Sequence, residues 1–163
     1  MSTFVSVGNA TQSFVRLIDA VLEICSQLPQ PVTIQYGNSR VVNKNEDCNW
    51  KDFLSMNEFE EYIKNSELLI MHAGAGSLIN AIKAGKVPVI VPRRKHLNEH
   101  IDDHQLEFAE ALANEDKAVL VIHDSDLLNG VEQAKYEQNN NKLDMTVTPR
   151  LLDLVNNAIL EKG

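Results

Sequence analysis

The chain has 163 residues, 44% of them hydrophobic and 23% charged. This is the size and balance of one globular domain with a single core, which excludes a disordered chain and predicts against a two-lobed one. With 15 Lys and Arg against 23 Asp and Glu, the formal charge is -8, a field that repels phosphate backbones and argues against general nucleic-acid binding.

Phe4 to Val7 is a short β-branched run ending at Gly8, and Ser13 to Leu28 carries Phe14, Leu17, Ile18, Val21, Leu22 and Cys25 at helical spacing, predicting a strand, a turn and a helix. The longest uncharged runs, Met1 to Val15 and Leu68 to Ile82, are broken by Ser, Thr, Gly, Asn or His, so neither predicts a membrane span of about 20 apolar residues. The first run also lacks the basic and apolar regions of a secretory signal. Two cysteines, Cys25 and Cys48, with one inside the helical pattern, imply no disulfide framework and predict a reducing, cytoplasmic setting.

Pro29 and Pro31 stop the helix, and Val32 to Tyr36 followed by Gly37 reads as a second strand. Residues 38–55 carry no clear period, with Trp50, Phe53 and Leu54 as a short strand or apolar anchor. Met56 to Lys64 predicts a short helix, and Leu68 to Met71 a strand buried on both faces. The segment His72-Ala73-Gly74-Ala75-Gly76-Ser77 then opens a helix running to Ala84 and capped by Gly85. Pro88 to Pro92 and Ala118 to Ile122 predict two more strands, with helices over about Asp102–Asn114, near Asp126–Lys135 and over Pro149–Lys162. Residues 138–148, opening on Gln-Asn-Asn-Asn-Lys, read as a solvated linker before the last helix. Strands alternating with helices predict an α/β fold, a Rossmann-like parallel sheet with helices on both faces. Ligands in such folds sit at the carboxyl ends of strands, directing attention to the residues after Val7, Met71, Val91 and Ile122.

The turn Gly74-Ala75-Gly76-Ser77 can present successive backbone N–H groups, with a helix dipole behind them, to an anion. The alternative is a tight turn whose glycines serve packing alone. It is neither a Walker loop nor a complete Gly-x-Gly-x-x-Gly fingerprint, since the third position is Ile79. Arg93-Arg94-Lys95 is a local basic spot that suits one phosphate-bearing ligand. His96, His100 and His104 recur every four residues and on a continuous helix would share one face at metal-ligand spacing. Pro92 and the basic cluster place His96 in a loop instead, and no further ligand completes a set, so no metal is expected. Asp102 or Asp103 can cap a helix while His104 and Gln105 offer hydrogen bonds toward a cleft. Ser77 lacks the Gly-x-Ser-x-Gly elbow of a hydrolase.

Three segments together carry a family resemblance: Ile70 to Ser77, then Ala84-Gly85-Lys86 with Pro88 to Pro92, then Glu99-His100-Ile101-Asp102-Asp103-His104-Gln105-Leu106-Glu107. The chain resembles the C-terminal domain of family 28 glycosyltransferases. It is most similar to the small stand-alone form, which serves as the cytosolic subunit of eukaryotic two-subunit UDP-GlcNAc transferases and as a subunit in bacterial exopolysaccharide synthesis. The opening Val5-Ser6-Val7-Gly8 fits the same subunits, so the resemblance spans nearly the whole chain.

The resemblance implies a single GT-B half-domain over residues 1–163 that binds a UDP-sugar donor, with no metal and no further cofactor. The donor-binding residues it implies are Gly8, His72, Gly74, Ala75, Gly76, Ser77, Asn80, Arg93, His104 and Gln105. The Gly74–Ser77 turn would meet the diphosphate, the helix after it the ribose, and His104-Gln105 the sugar hydroxyls. The chain departs from the family at Asn80, where larger relatives have Glu, at the one-residue-longer turn Gly85-Lys86-Val87-Pro88, and at Gly8-Asn9-Ala10-Thr11. In two-lobed relatives the general base belongs to the other lobe. A membrane-anchored partner is therefore expected to supply it, with the lipid-linked saccharide acceptor, at the cytosolic membrane face. The apolar stripe Leu151, Leu152, Leu154, Val155, Ile159 and Leu160 could dock on that partner or close the domain's own core. The alternative function is a non-catalytic enhancer of a partner transferase.

Overall fold

The apolar runs become six short strands of one parallel sheet: β1 (Thr3–Ser6), β2 (Val32–Gln35), β3 (Cys48–Lys51), β4 (Leu68–Met71), β5 (Val89–Ile90) and β6 (Val119–Leu120). Between and after them come α1 (Val15–Ile24), α2 (Met56–Asn65), α3 (Ala75–Lys83), α4 (His104–Asn114), α5 (Leu127–Asn140) and α6 (Pro149–Glu161). The computed structural model describes residues 2–140 and 149–161, with side chains to Asn157 in the last helix.

The sheet order is β3-β2-β1-β4-β5-β6. The chain starts at the centre, builds outward to β3, returns to lay β4 beside β1 in register Thr3 with Leu68, and builds out the other way. At that reversal the connections after β1 and β4 leave toward opposite faces, which opens a crevice at their carboxyl ends.

Period-two alternation divides the core into two layers. Val5, Ile34, Ile70 and Val89 point to the side covered by Leu17, Ile18 and Val21 of α1 and by Val131 and Ala134 of α5. Phe4, Leu69, Met71 and Ile90 point to the other side, covered by Ile63 of α2, Leu78 and Ala81 of α3, and Phe108 and Leu112 of α4. A capping box starts α2: Ser55 Oγ accepts from the Glu58 N–H at 3.2 Å, and Glu58 Oε2 accepts from the Ser55 N–H at 3.0 Å.

Residues 138–140 belong to α5 and not to a linker, because Gln138 ties that helix to distant backbone. Its Oε1 accepts from the Val87 N–H at 3.2 Å and its Nε2 donates to Glu67 O at 2.9 Å. The rest of the expected linker, 141–148, lies outside the described residues. On α6, Leu151 and Val155 are buried in the second core layer against α3 and α4, so they close the domain's own core. Ile159 and Leu160 lie outside the described side chains.

The edge strand β3 lies in the segment without a clear period and carries Trp50. Helix α4 starts at His104, a little after the expected Asp102, while α5 starts at Leu127 after a turn over Asp124–Asp126 and α6 at Pro149, in agreement with expectation. The two cysteines, 23 residues apart, are neighbours, with free thiols 3.1 Å apart and buried. Burial, reinforced by Cys25, pushes the Cys48 thiol up to about 12. Among the described residues no helix is long and apolar enough to cross a membrane.

Candidate functional site: a cleft at the switch point

A cleft of about 340 Å³ occupies the crevice between the ends of β1 and β4. Its walls are Ser6, Gly8 and Asn9 after β1, Gln35 from β2, and His72, Gly74, Ala75, Gly76, Ser77 and Asn80 after β4. Leu54, Met56 and Phe59 form an apolar side. Among these lining residues His72 is the sole ionisable side chain, so an anion bound here is met by backbone and hydroxyl dipoles and not by Lys or Arg.

Those dipoles come from α3. Gly74 is its N-cap, without a side-chain cap bond, and the first turn carries no acid. The helical ladder begins with Leu78 N–H donating to Gly74 O at 3.0 Å. The N–H groups of Ala75, Gly76 and Ser77 therefore have no intrahelical acceptor, and the positive end of the dipole lies with them. Gly76 is exposed, and a Cβ there would meet nothing within 4 Å, so packing does not require that glycine.

Gly8 and Gly74 are glycines for another reason. A Cβ on Gly8 would overlap Nε2 of His72, and one on Gly74 would overlap its Cε1. The His72 ring, 7% exposed, is thus closely flanked by the two turns. Gly8 also has φ +81°, a conformation glycine adopts without penalty. Its peptide is braced by Gln35: Oε1 accepts from the Gly8 N–H at 3.3 Å and the Ser6 hydroxyl at 2.7 Å, and Nε2 donates to Gly8 O at 3.3 Å and Asp52 O at 2.8 Å. Sequence reasoning missed Gln35, although a Gln at the end of a β-branched strand two residues before Gly37 is a signal for such a brace.

Of the ten residues expected to bind donor, the cleft brings together Gly8, His72, Gly74, Ala75, Gly76, Ser77 and Asn80. Arg93, His104 and Gln105 are not among its walls. Arg93, 1% exposed, has its guanidinium committed to the loops around it. Nη2 and Nε donate to Val7 O at 2.6 and 3.2 Å, and Nη1 donates to Gln12 O at 2.7 Å and Glu99 O at 3.0 Å. Burial pulls this guanidinium down to about 10, against the opposing pull of Glu99. Arg16 approaches the same loop, donating through Nε and Nη2 to the two oxygens of Glu99, both at 2.9 Å. Both guanidinium groups lie over the Phe14 ring, at 5.4 Å for Arg16 and 5.0 Å for Arg93. Together they tie the loops after β1 and β5.

Gln105, 2% exposed, does not reach the cleft surface. Its Oε1 accepts from the N–H groups of Ala73 at 3.2 Å and Arg93 at 3.1 Å, and its Nε2 lies 3.3 Å from Nδ1 of His72. The three regularly spaced histidines do not share a helix face: His96 is in a short turn, His100 in a loop and His104 opens α4. His100 and His104 instead flank Asp102, with Nδ1 atoms at 3.2 and 3.3 Å from its two oxygens. Burial raises the Asp102 carboxyl, but the His104 N–H and the two imidazoles outweigh it and hold it below its usual range. Among the described residues no cluster of His, Cys, Asp and Glu is arranged to hold a metal ion.

Residues 2–151 match the glycosyltransferase family 28 C-terminal domain. The chain is 31% identical over 149 residues to the UDP-N-acetylglucosamine transferase subunit ALG13 of Yarrowia lipolytica, covering 83% of this chain and 71% of that protein. It is 33% identical over 121 residues to the subunit of the same name from Homo sapiens, covering 69% of this chain and 10% of that one. Among solved structures, the glycotransferase of kitacinnamycin superposes with a TM-score of 0.64 at 14% identity, over 98% of this chain and 38% of that one. An NMR structure of ALG13 superposes at 0.56 and 18% identity, over 84% of this chain and 86% of that one. These two likenesses establish the GT-B-type, Rossmann-like half-domain fold.

Proposed function

Because the chain belongs to the glycosyltransferase family 28 C-terminal domain family, we propose that it is the donor-binding subunit of a heteromeric inverting glycosyltransferase that takes a UDP-sugar. The observation carrying this reading is the uncapped N-terminus of α3, with exposed Gly76, opening into the cleft at the switch point.

In this reading the diphosphate accepts from the Ala75, Gly76 and Ser77 N–H groups and the Ser77 hydroxyl. Asn80, one turn along α3 on the same wall, reaches the ribose. As the bond from the sugar to the diphosphate breaks, negative charge grows on the leaving phosphate, and the fixed N–H dipoles stabilise it without reorganising. The donor is metal-independent here because the helix terminus supplies the positive potential a cation would otherwise give.

The acceptor hydroxyl must be held at reacting distance and lose its proton. Among the described residues the cleft lining contains no carboxylate, so this reading assigns the base to a partner. The similar proteins carry the word subunit in their names, which supports a two-chain enzyme. We assign to the partner the membrane anchor and the polyprenyl-diphosphate-linked saccharide acceptor, which places transfer at the cytosolic membrane face.

Calorimetric titration of UDP into the full chain tests the donor site. The reading predicts saturable binding that Gly76→Val weakens at least tenfold with the fold intact. A chain that binds no UDP at millimolar concentration, yet raises the activity of a membrane partner, is a non-catalytic enhancer instead.

A further inference from the structure

On the side of the sheet that faces α2, strands β2 and β3 give no side chain to the core layer. Alternation places Thr33 of β2 and Asn49 and Lys51 of β3 there instead, with Thr33 and Asn49 in the same cross-strand row as Phe4. Glu58, Glu61 and Tyr62 of α2, at helical spacing, form the opposite wall. Between strands and helix runs a groove of about 430 Å³, against about 340 Å³ for the cleft at the switch point. Leu54 borders both cavities, and they share no polar wall.

The walls of this groove hold more hydrogen-bonding capacity than the fold uses. Thr33 is 5% exposed, yet its hydroxyl has no partner among the described residues. A buried hydroxyl left without a partner is costly, so Thr33 takes its partner from the groove it lines. The side chains of Asn49, Lys51 and Glu61 and the Tyr62 hydroxyl likewise bond to no protein group among the described residues. Stacking on Phe4, at 4.9 Å between centroids, holds the Tyr62 ring in place.

We infer that this groove is a second binding site, separate from the cleft, and that its ligand is a neutral saccharide. Two carboxylates against one ammonium repel a phosphate. The helix wall supplies acceptors and the strand wall supplies ammonium and carboxamide donors, and a sugar hydroxyl donates to one while accepting from the other. An extended peptide seeks a strand edge or apolar pockets for alternate side chains. This groove instead offers the face of the strands, with Pro31 and Leu54 as its only aliphatic walls. The inference goes beyond the donor-site reading and stands without it.

The test titrates the ¹⁵N-labelled full chain with two neutral probes in turn, maltotriose and the trisaccharide of N-acetylglucosamine, to tens of millimolar. The expected result, from at least one of them, is saturable shifts at the amides of Thr33, Asn49, Lys51, Glu61 and Tyr62, with Gly8 and His72 to Ser77 unmoved. Thr33→Val removes the hydroxyl at nearly equal shape, and Asn49→Ala changes an exposed side chain on the edge strand. Each should weaken binding about fivefold, the loss of one net hydrogen bond, and either variant decides if the other fails to fold. No shift with either saccharide overturns the inference, as do shifts centred on the cleft or affinity unchanged in the folded variants. Inorganic phosphate or a serine-rich peptide that moves these amides where the saccharides do not overturns the assignment of the ligand. Saccharide shifts in a chain that UDP does not bind leave the groove standing while the donor-site reading fails.

Discussion

The imidazole of His72 occupies the space that a side chain on Gly74 would need: a Cβ built there overlaps Cε1. Gly74 has φ -79°, an ordinary value for any residue, so the ring and not the backbone demands glycine. Gly74→Ala should therefore cost about 1–3 kcal/mol of stability through overpacking. The cost should shrink in a His72→Ala background, where the ring is gone. Gly8→Ala should stay costly in both backgrounds, because its φ of +81° remains. Urea unfolding of the two cycles separates steric from backbone strain.

Glu99 joins two arginines to the loop after β5. Its carboxylate accepts from Arg16 and from the Arg94 N–H at 3.0 Å, and its carbonyl accepts from Arg93. Glu99→Ala leaves Arg16 without its bidentate partner in a mostly buried setting, and should lower stability by about 3 kcal/mol. Because the Glu99 carbonyl that accepts from Arg93 survives in this variant, the hold of Arg93 on Val7 O should remain and UDP binding should change little. Chemical denaturation and calorimetry measure the two effects.

Gly130 sits inside α5, where Ala would ordinarily stabilise the helix by about 1 kcal/mol. Here a Cβ would overlap Cγ2 of Val121, and forcing it in costs about 1–3 kcal/mol. The clash should win, so Gly130→Ala should lower stability, and pairing it with Val121→Ala should cost less than the sum of the two. Denaturant midpoints of the four proteins show this.

Acid should loosen the loop before α4 through Asp102. Its carboxyl is held below the usual value of 3.8 in the folded chain. The unfolded state then binds more protons in that range, so the stabilisation is complete above 3.8 and fades as pH falls from there through the lowered folded value. Asp102→Asn should flatten this acid limb. Unfolding free energies compared between pH 6 and pH 3 give the slope for both proteins.

Much of the fold was legible because parallel strands buried on both faces read as unbroken apolar runs. Leu68 to Met71 matches β4 residue for residue. Strand β3 was legible only as a short strand or anchor around Trp50, since an edge strand needs little burial and Cys-Asn-Trp-Lys has no run to fix its bounds. Residues 138–140 looked like a linker by composition, while what makes them helical is Gln138 binding backbone at Glu67 and Val87, far away in sequence.

The site divides in the same way. The helix-opening turn at Gly74 to Ser77 was readable from local pattern alone. The bracing bonds of Arg93 and Gln105 were not readable, because polar residues at the carboxyl ends of strands have the same composition whether they face a ligand or brace a loop. The deciding fact is which backbone groups lie nearby, and only the assembled fold supplies it. The two cysteines met for the same reason, through pairing of β3 that the sequence does not announce.

We propose that the crevice between β1 and β4 holds a nucleoside diphosphate. Its most direct test is a ¹⁵N-labelled full chain titrated with UDP, followed by backbone amide shifts. Saturable shifts are expected, largest at Gly8 and from His72 to Ser77, with Gly76→Val needing at least about tenfold more UDP to reach them. No shifts at millimolar UDP would contradict it, as would shifts confined to the polar groove lined by Asn49, Lys51, Glu58 and Glu61.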